Sequence, residues 1–244
     1  MAFESKYSLL DGILHSLAFK SWPVQAAVSD IEDRLFKAEL DKINIEKPVF
    51  ITALPRAGTT LMLELCVSQG EFTSHSYRDM PFVLSPMFWH KFSTKFQQSD
   101  IPRERAHGDG MLVNVDSPEA FEEVVWRTFW ESHYKKDRIV PWSNEEDAEF
   151  YRFFYNHLKK IVAIHSGAAR QHTRYVSKNN LNIARIDALL ANVSDAVIIL
   201  PFREPLQHAA SLLKQHRNFL KIHNEDPFAL SYMKAIGHYG FGEI

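Results

Sequence analysis

The chain has 244 residues, 45% hydrophobic and 24% charged, which suits one large α/β domain or at most two small ones. Its formal net charge of −2 excludes the diffuse positive field that recruits nucleic acid or an anionic membrane. The single cysteine, Cys66, excludes an intramolecular disulfide and a zinc site built from several cysteines, and it is consistent with a reducing compartment.

The sequence predicts no membrane span and no secretory signal. No apolar run approaches the roughly 18 residues that a transmembrane helix needs. The first six residues include the polar Glu4, Ser5 and Lys6, and Asp11 and His15 interrupt the first apolar stretch. We therefore predict a soluble, cytoplasmic protein with no nucleic-acid partner.

Hydrophobic periodicity predicts helices, a strand and a further helix in the N-terminal third of the chain. The elements are helices at 3–20, 30–41 and 59–69 and a buried strand at 48–54. Ser29, with Glu32 three residues later, has the pattern of a capping box at the start of the second helix. Gly70 marks the end of the third helix.

The middle of the chain predicts helices without intervening strands. Residues 71–115 have no clear periodicity and are rich in proline and aromatic residues. Serine caps then predict one helix from Ser117 to about Ser132 and a longer one from Ser143 through His165. The aromatic stripe from Phe150 to Ile164 on the longer helix is interpreted as core.

A second α/β unit follows, with strands at 174–177 and 196–202 and helices at 181–190 and 205–219. Strands that alternate with helices of this length predict a parallel sheet. We therefore predict an α/β fold in which a central parallel sheet lies between two helical layers. We expect a single domain over residues 1–244, with a helical insertion at about 71–170.

The turn after the first strand has the composition of an anion-binding loop. Residues 55–60 join a strand to a helix, so backbone N–H groups and the helix N-terminus face one point. The loop of nucleoside triphosphatases has a lysine directly before its hydroxyl residue. Here Thr59 follows Gly58 directly, and the cation, Arg56, precedes the glycine.

The stretch Pro55–Leu61 resembles the 5′-phosphosulfate loop of sulfotransferases that use 3′-phosphoadenylyl sulfate (PAPS). The resemblance implies a P-loop-like three-layer fold, and the closest motif style is that of tyrosylprotein and bacterial sulfotransferases. It also implies that the phosphosulfate is held by the loop, and no metal is required. The residues implied are Arg56, Ala57, Gly58, Thr59 and Thr60.

Two later segments support the same resemblance. Arg203 ends a predicted strand and Ser211 lies two helical turns later, so both can converge on one phosphate. By resemblance they would hold the ribose 3′-phosphate, which also remains in the product adenosine 3′,5′-bisphosphate. Lys178 follows the strand at 174–177 and would contact the transferred sulfuryl group. Asn180 stands where the family often has proline.

An alcohol acceptor also needs a general base near its hydroxyl. We favour His107, which shares a loop with Gly108 and Gly110, where Asp109 could orient the imidazole. Asp79 is the next candidate, because the tyrosylprotein branch places a glutamate near this point, and His75 lies four residues earlier. The aromatic residues of 71–170 suit an acceptor pocket with apolar walls, although core packing would give the same composition.

Three functional hypotheses stay open. The first is a PAPS-dependent sulfotransferase acting on a small-molecule, glycan or lipid acceptor. The second is a P-loop kinase or nucleotidase, which the missing lysine and the lack of a magnesium-binding aspartate after a strand argue against. The third is a binding module that has kept the fold without activity. The chain ends at Ile244 without a recognisable region to cover the adenine, so we expect either a truncated chain or a different closure.

Overall fold

The structure is a computed structural model. The residues that it describes are 22–96, 101–105, 107–135, 137–143, 147–166, 173–238 and 240–242. The helix predicted at 3–20 lies outside these residues.

The described strands form a central parallel sheet. They are β1 (Val49–Ile51), β2 (Phe72–Thr73), β5 (Arg174–Lys178) and β6 (Val197–Ile199), in the spatial order β2-β5-β1-β6. A short antiparallel hairpin, β3 (Arg103–Glu104) with β4 (Leu112–Val113), stands apart from this sheet.

Strand register explains why the predicted site residues meet. Ile51 at the end of β1 pairs with Lys178 on one side and with Ile199 on the other. All pairings in this sheet are parallel, so the segments that follow the three strands leave from one edge. This edge is where ligands bind in open α/β sheets.

Helices connect and cover the strands. Their bounds are α1 Trp22–Leu35, α2 Lys37–Leu40, α3 Thr59–Ser68, α4 Pro86–Phe96, α5 Glu122–Phe129, α6 Ala148–His165, α7 Ile186–Asn192, α8 Pro205–Glu225 and α9 Pro227–Ala235. Short 3₁₀ turns occupy Tyr77–Asp79, Glu131–His133 and Asn180–Ala184. None of the helices among the described residues is long and apolar enough to cross a membrane.

Alternation along β1 produces the layers, because successive side chains of a strand point to opposite faces. Phe50 is fully buried in the large core cluster, together with Phe154 of α6. Val49 and Ile51 pack in a second cluster with Leu63 of α3. The predicted α/β fold, a central parallel sheet flanked by helices, is confirmed.

Three predicted helix starts are wrong. Ser29 lies inside α1, where its hydroxyl and carbonyl accept hydrogen bonds from the buried Lys160 instead of capping a helix. The hydroxyl of Ser117 accepts from the Asn114 backbone N–H, and α5 starts only at Glu122. Helix α6 is capped by Asp147 rather than Ser143. Each serine has a cap-like sequence, but its hydroxyl is used by a tertiary or turn contact or lies outside the helix.

The outer parts of the sheet also differ from the sequence prediction. β6 covers only three residues of the predicted strand at 196–202, and it is partly exposed at the edge of the sheet that the described strands form. The predicted helix at 181–190 is a 3₁₀ turn followed by the short α7. The segment 71–170 contributes β2 to the sheet in addition to its helices.

The aromatic stripe of α6 is core, as predicted. Phe150, Phe154 and Leu158 are fully buried, and Phe150 packs with its ring centroid 4.6 Å from that of Trp126 in α5. The largest apolar cluster therefore fills the space between β1 and the helices of the insertion.

Candidate active site

The loop between β1 and α3 has the backbone conformation of an anion-binding turn. Arg56 and Gly58 have positive φ angles of 71° and 96°, and α3 begins at Thr59. A Cβ at Gly58 would meet no atom within 4 Å, so the backbone conformation rather than lack of space favours glycine there. No described side chain caps α3, which leaves its first N–H groups to a ligand.

Three of the predicted phosphosulfate and phosphate residues meet at this edge of the sheet. Arg56 Nε donates a hydrogen bond to Ser211 Oγ at 3.3 Å. Arg203 Nη1 donates to the backbone carbonyl of Arg56 at 3.1 Å. Residues far apart in sequence thus place two guanidinium groups and a hydroxyl around one loop.

Two further residues, His208 and Asn180, hold the loop, and the sequence did not reveal these contacts. His208 of α8 contacts the Pro55 carbonyl through Nε2 at 2.7 Å. The Thr59 hydroxyl donates to Asn180 Oδ1 at 3.2 Å, and the Thr52 hydroxyl donates to the Asn180 backbone carbonyl at 3.3 Å. The residue that departs from the family pattern, Asn180, therefore supplies a side-chain contact to the loop that proline could not make.

Lys178 ends β5 beside the loop, as the sequence predicted. Its ammonium group forms no hydrogen bond or ion pair with any residue in the part of the chain that the structure describes. Burial lowers the pKa of Lys178, and Arg105 and Arg56 lower it further, whereas Glu119 opposes this shift. A half-buried cation that no described residue pairs favours an anionic ligand.

Glu119 is a candidate that the sequence analysis missed. Its carboxylate accepts hydrogen bonds from the Tyr77 hydroxyl and, at 2.7 Å, from the Ala120 backbone N–H. Burial and the charge of Glu119 raise the pKa of Tyr77 well above its usual value, so this hydroxyl remains a donor. The signal was present in Ser117-Pro118-Glu119, but that pattern was assigned to a helix start.

His107 lies near the site in an apolar setting. Its ring centroid is 5.2 Å from that of Phe219 and 5.9 Å from that of His238. Burial, with the positive charge of Arg105, lowers the pKa of His107 to about 2. The imidazole is therefore neutral and a weak base.

Asp109 does not orient His107, contrary to the sequence expectation. Its carboxylate accepts from Arg105 Nε at 3.0 Å and Nη2 at 2.6 Å, and from Arg56 Nη1 at 2.8 Å. Burial opposes the negative charge, but the two arginines outweigh it and hold the pKa of Asp109 well below its usual range. The two guanidinium groups bind both oxygens of this carboxylate, so it does not orient the imidazole of His107.

Asp79 lies in a separate buried cluster. It accepts hydrogen bonds from the Ser76 backbone N–H at 2.9 Å and from His165 Nε2 at 2.9 Å, and His75 Nδ1 lies 3.4 Å away. Burial raises the pKa of this carboxyl, but the two histidines outweigh burial and hold it well below its usual range. These contacts favour a structural role. Among the described residues, no group of three or more histidine, cysteine, aspartate or glutamate side chains could hold a metal ion.

A cavity of about 620 Å³ lies beside the loop. Lys178 and Glu119 are in its wall, and the loop contributes Pro55. Among the described residues of the wall there is none of 56–60 and no Arg203. The cavity therefore lies beside the anion-binding residues of the loop.

The floor of the cavity is held by a buried ionic network. Glu123 lines the cavity, forms an ion pair with Arg185 and accepts from Asn179 Nδ2 at 2.6 Å. The Arg185 guanidinium also lies 4.3 Å from the ring centroid of Trp126. Both charges have partners, as buried charges require.

Two solved structures are similar to the chain, at low sequence identity. The sulfotransferase STF1 of Mycobacterium tuberculosis is 15% identical with a TM-score of 0.47, and the match covers 78% of this chain and 54% of that one. The sulfotransferase STF9 of Mycobacterium avium is 16% identical with a TM-score of 0.48, covering 88% and 62%. This chain therefore spans less than two thirds of either structure.

No curated protein matches the chain. The model of the sulfotransferase family, however, matches residues 48–238, which include the loop, Lys178, Arg203 and Ser211. This match covers well over half of the chain, from just before β1 to just after α9. The chain belongs to the sulfotransferase family.

Proposed function

We propose that this protein transfers the sulfuryl group of PAPS to a hydroxyl or amine of an acceptor. The observation that carries the proposal is the convergence of Arg56, Arg203 and Ser211 on one loop. The ammonium of Lys178, which no described residue pairs, lies beside them. Family membership supports it independently. The cytoplasmic location stays a prediction of the sequence.

The donor roles follow from charge and position. Arg56, the N–H groups of residues 57–60 and the threonine hydroxyls would hold the 5′-phosphosulfate, because a helix N-terminus and a guanidinium both favour an anion. Arg203 and Ser211 would hold the ribose 3′-phosphate. Lys178 would neutralise the charge that develops on the oxygen between phosphorus and sulfur.

In the transfer step the acceptor oxygen attacks sulfur, and the bond from sulfur to the 5′-phosphate oxygen breaks. The products are a sulfate ester and adenosine 3′,5′-bisphosphate. The acceptor proton must pass to a base, and we propose Glu119, since it lies in the cavity wall with Lys178. His107 remains the alternative base, but its lowered pKa makes it a weaker base than an ordinary histidine.

The competing hypotheses have less support. A P-loop kinase is disfavoured by the family match and by the absence of a lysine before Thr59. An inactive binding module would keep the donor contacts and lack the transfer step. Activity must therefore be measured separately from binding.

Calorimetry tests the donor first. We expect adenosine 3′,5′-bisphosphate to bind without magnesium, and Arg203→Ala to weaken it by about 10- to 100-fold, because charge-assisted hydrogen bonds to phosphate are lost. Arg217→Ala, an exposed arginine further along α8, is the matched control and should bind normally.

Preference for ATP with magnesium over the bisphosphate would overturn the proposal. Transfer of labelled sulfate from PAPS to a panel of alcohols, amines and glycans then tests catalysis. Bisphosphate binding without transfer to any of them would favour the binding module.

A further inference from the structure

Two elements, the hairpin and α9, contribute apolar side chains to the cavity wall. Val113 and Val115 contribute from the end of the hairpin, and Met233 and Ile236 contribute from α9 and the residue after it. Ile183 also lines the cavity and is 47% exposed, which places an apolar residue where the cavity meets solvent.

Several polar groups in the same wall are already bound to protein partners. Asp226 caps α9 by accepting from the N–H groups of Phe228 and Ala229, at 2.9 and 3.3 Å. Glu123 is paired with Arg185 in the floor. Part of their hydrogen-bonding capacity is therefore used within the protein.

Lys178 and Glu119 are the lining groups that the proposed transfer step uses. The ammonium of Lys178 has no partner among the described residues, and each oxygen of Glu119 accepts one hydrogen bond and retains capacity for a second. A ligand with one reactive hydroxyl meets this pair, whereas a sugar would also bury hydroxyls against the apolar side chains of the wall, at a cost in free energy.

We infer that the cavity binds an acceptor with an apolar body and a single hydroxyl, that is, a hydrophobic alcohol. This inference rests on the proposed function, because it takes the cavity as the acceptor site of the same reaction. The volume of about 620 Å³ is that of a pocket for a drug-sized apolar ligand. Straight-chain alcohols and alkylphenols share this chemistry.

Calorimetry in saturating adenosine 3′,5′-bisphosphate tests the inference without turnover. The probes are straight-chain alcohols of increasing length, alkylphenols of equal carbon number, and methyl glucoside. We expect affinity to rise about fourfold per methylene until the cavity is filled. Tighter binding of the straight-chain alcohols or of the alkylphenols shows which of these two classes the cavity favours. Methyl glucoside should bind far more weakly than either.

Met233→Asp places a charge in the wall and should weaken alcohol binding by at least about 10-fold, with unchanged affinity for the bisphosphate. Ser231→Asp adds the same charge to an exposed position of the same helix and should change neither affinity. The chain-length series on the unmodified protein decides the inference even where Met233→Asp does not fold.

Tighter binding of methyl glucoside than of any alcohol, or an affinity independent of chain length, would overturn the inference. Bisphosphate binding without alcohol binding would overturn it too and would leave the proposed donor intact. Failure of the bisphosphate itself to bind would instead remove the proposed function.

Discussion

The Asp109 carboxylate lies 2.8 Å from the guanidinium of Arg56, the cation of the anion-binding loop. Arg105 binds the same carboxylate at 2.6 Å. Both side chains of the Arg56–Asp109 pair are largely buried, so water screens this attraction less than at the surface. An internal anion therefore neutralises the cation that a phosphosulfate would need.

Asp109→Asn should increase the affinity for adenosine 3′,5′-bisphosphate by about fivefold, because a negative charge next to an anionic ligand is removed. Calorimetry measures the change, and Asp116→Asn, which alters an exposed carboxylate paired with Arg78, is the control. A weaker affinity in Asp109→Asn would mean that this carboxylate is needed to hold Arg56 in place.

Glu119→Gln should lower kcat by about 10²- to 10⁴-fold, the usual contribution of a general base, with little change in bisphosphate affinity. Glu104→Gln alters another carboxylate of the cavity wall and should retain activity. Steady-state sulfate transfer measures both variants. Near-normal turnover in Glu119→Gln together with loss of turnover in His107→Ala would return the role to His107.

Lys178 predicts an alkaline limit to activity. Burial lowers the pKa of Lys178 below the ordinary 10.5, so its positive charge is lost as pH rises through that lowered value. We expect kcat/KM to fall on the alkaline side at a pH below 10.5. Lys178→Arg keeps its charge and should remove this limb, whereas Lys178→Met should lower kcat by about 10²- to 10³-fold at every pH. An unchanged alkaline limb in Lys178→Arg would assign it to another group.

Glu32 predicts a pH dependence of stability. Burial raises the pKa of Glu32 from 4.5 to about 7, although Lys160 opposes the shift. Between these values the folded state holds a proton that the unfolded state has lost. The free energy of unfolding contributed by this group therefore falls as pH rises, by at most about 1.4 kcal/mol per pH unit.

Glu32→Gln keeps the acceptor for the Phe88 backbone N–H, which lies at 2.7 Å in the unmodified protein, and should flatten the stability profile from pH 5 to 7. Urea unfolding at several pH values measures it. Glu149→Gln, at an exposed position in the first turn of α6, should leave the slope unchanged. An unaltered slope in Glu32→Gln would contradict the prediction.

The sheet and the loop were predictable because their signals are local. A short apolar run, a glycine and a helix start identify the segment around Gly58, and parallel pairing then brings Lys178 and Arg203 to the same edge. The extra strand β2 gave no such signal, because two residues are too short for a periodicity.

The side-chain partners in the site were less predictable because they depend on long-range packing. Arg56 and Asp109 are 53 positions apart, and nothing near Asp109 in the sequence distinguishes a partner for His107 from one for two arginines. The same limit applies to Ser29, whose local pattern indicates a cap although Lys160 binds it from 131 positions away.

The pairing of Glu123 with Arg185 has a consequence for directed evolution of acceptor choice. Asn179 follows Lys178 directly and is held by Glu123, so substitutions in this floor would also displace the lysine that serves the donor. In the part of the chain that the structure describes, no residue of the hairpin strands or of α9 forms a hydrogen bond with Lys178 or Asn179. Libraries that diversify those two walls should yield variants with new acceptors, and libraries in the floor should yield mostly inactive ones.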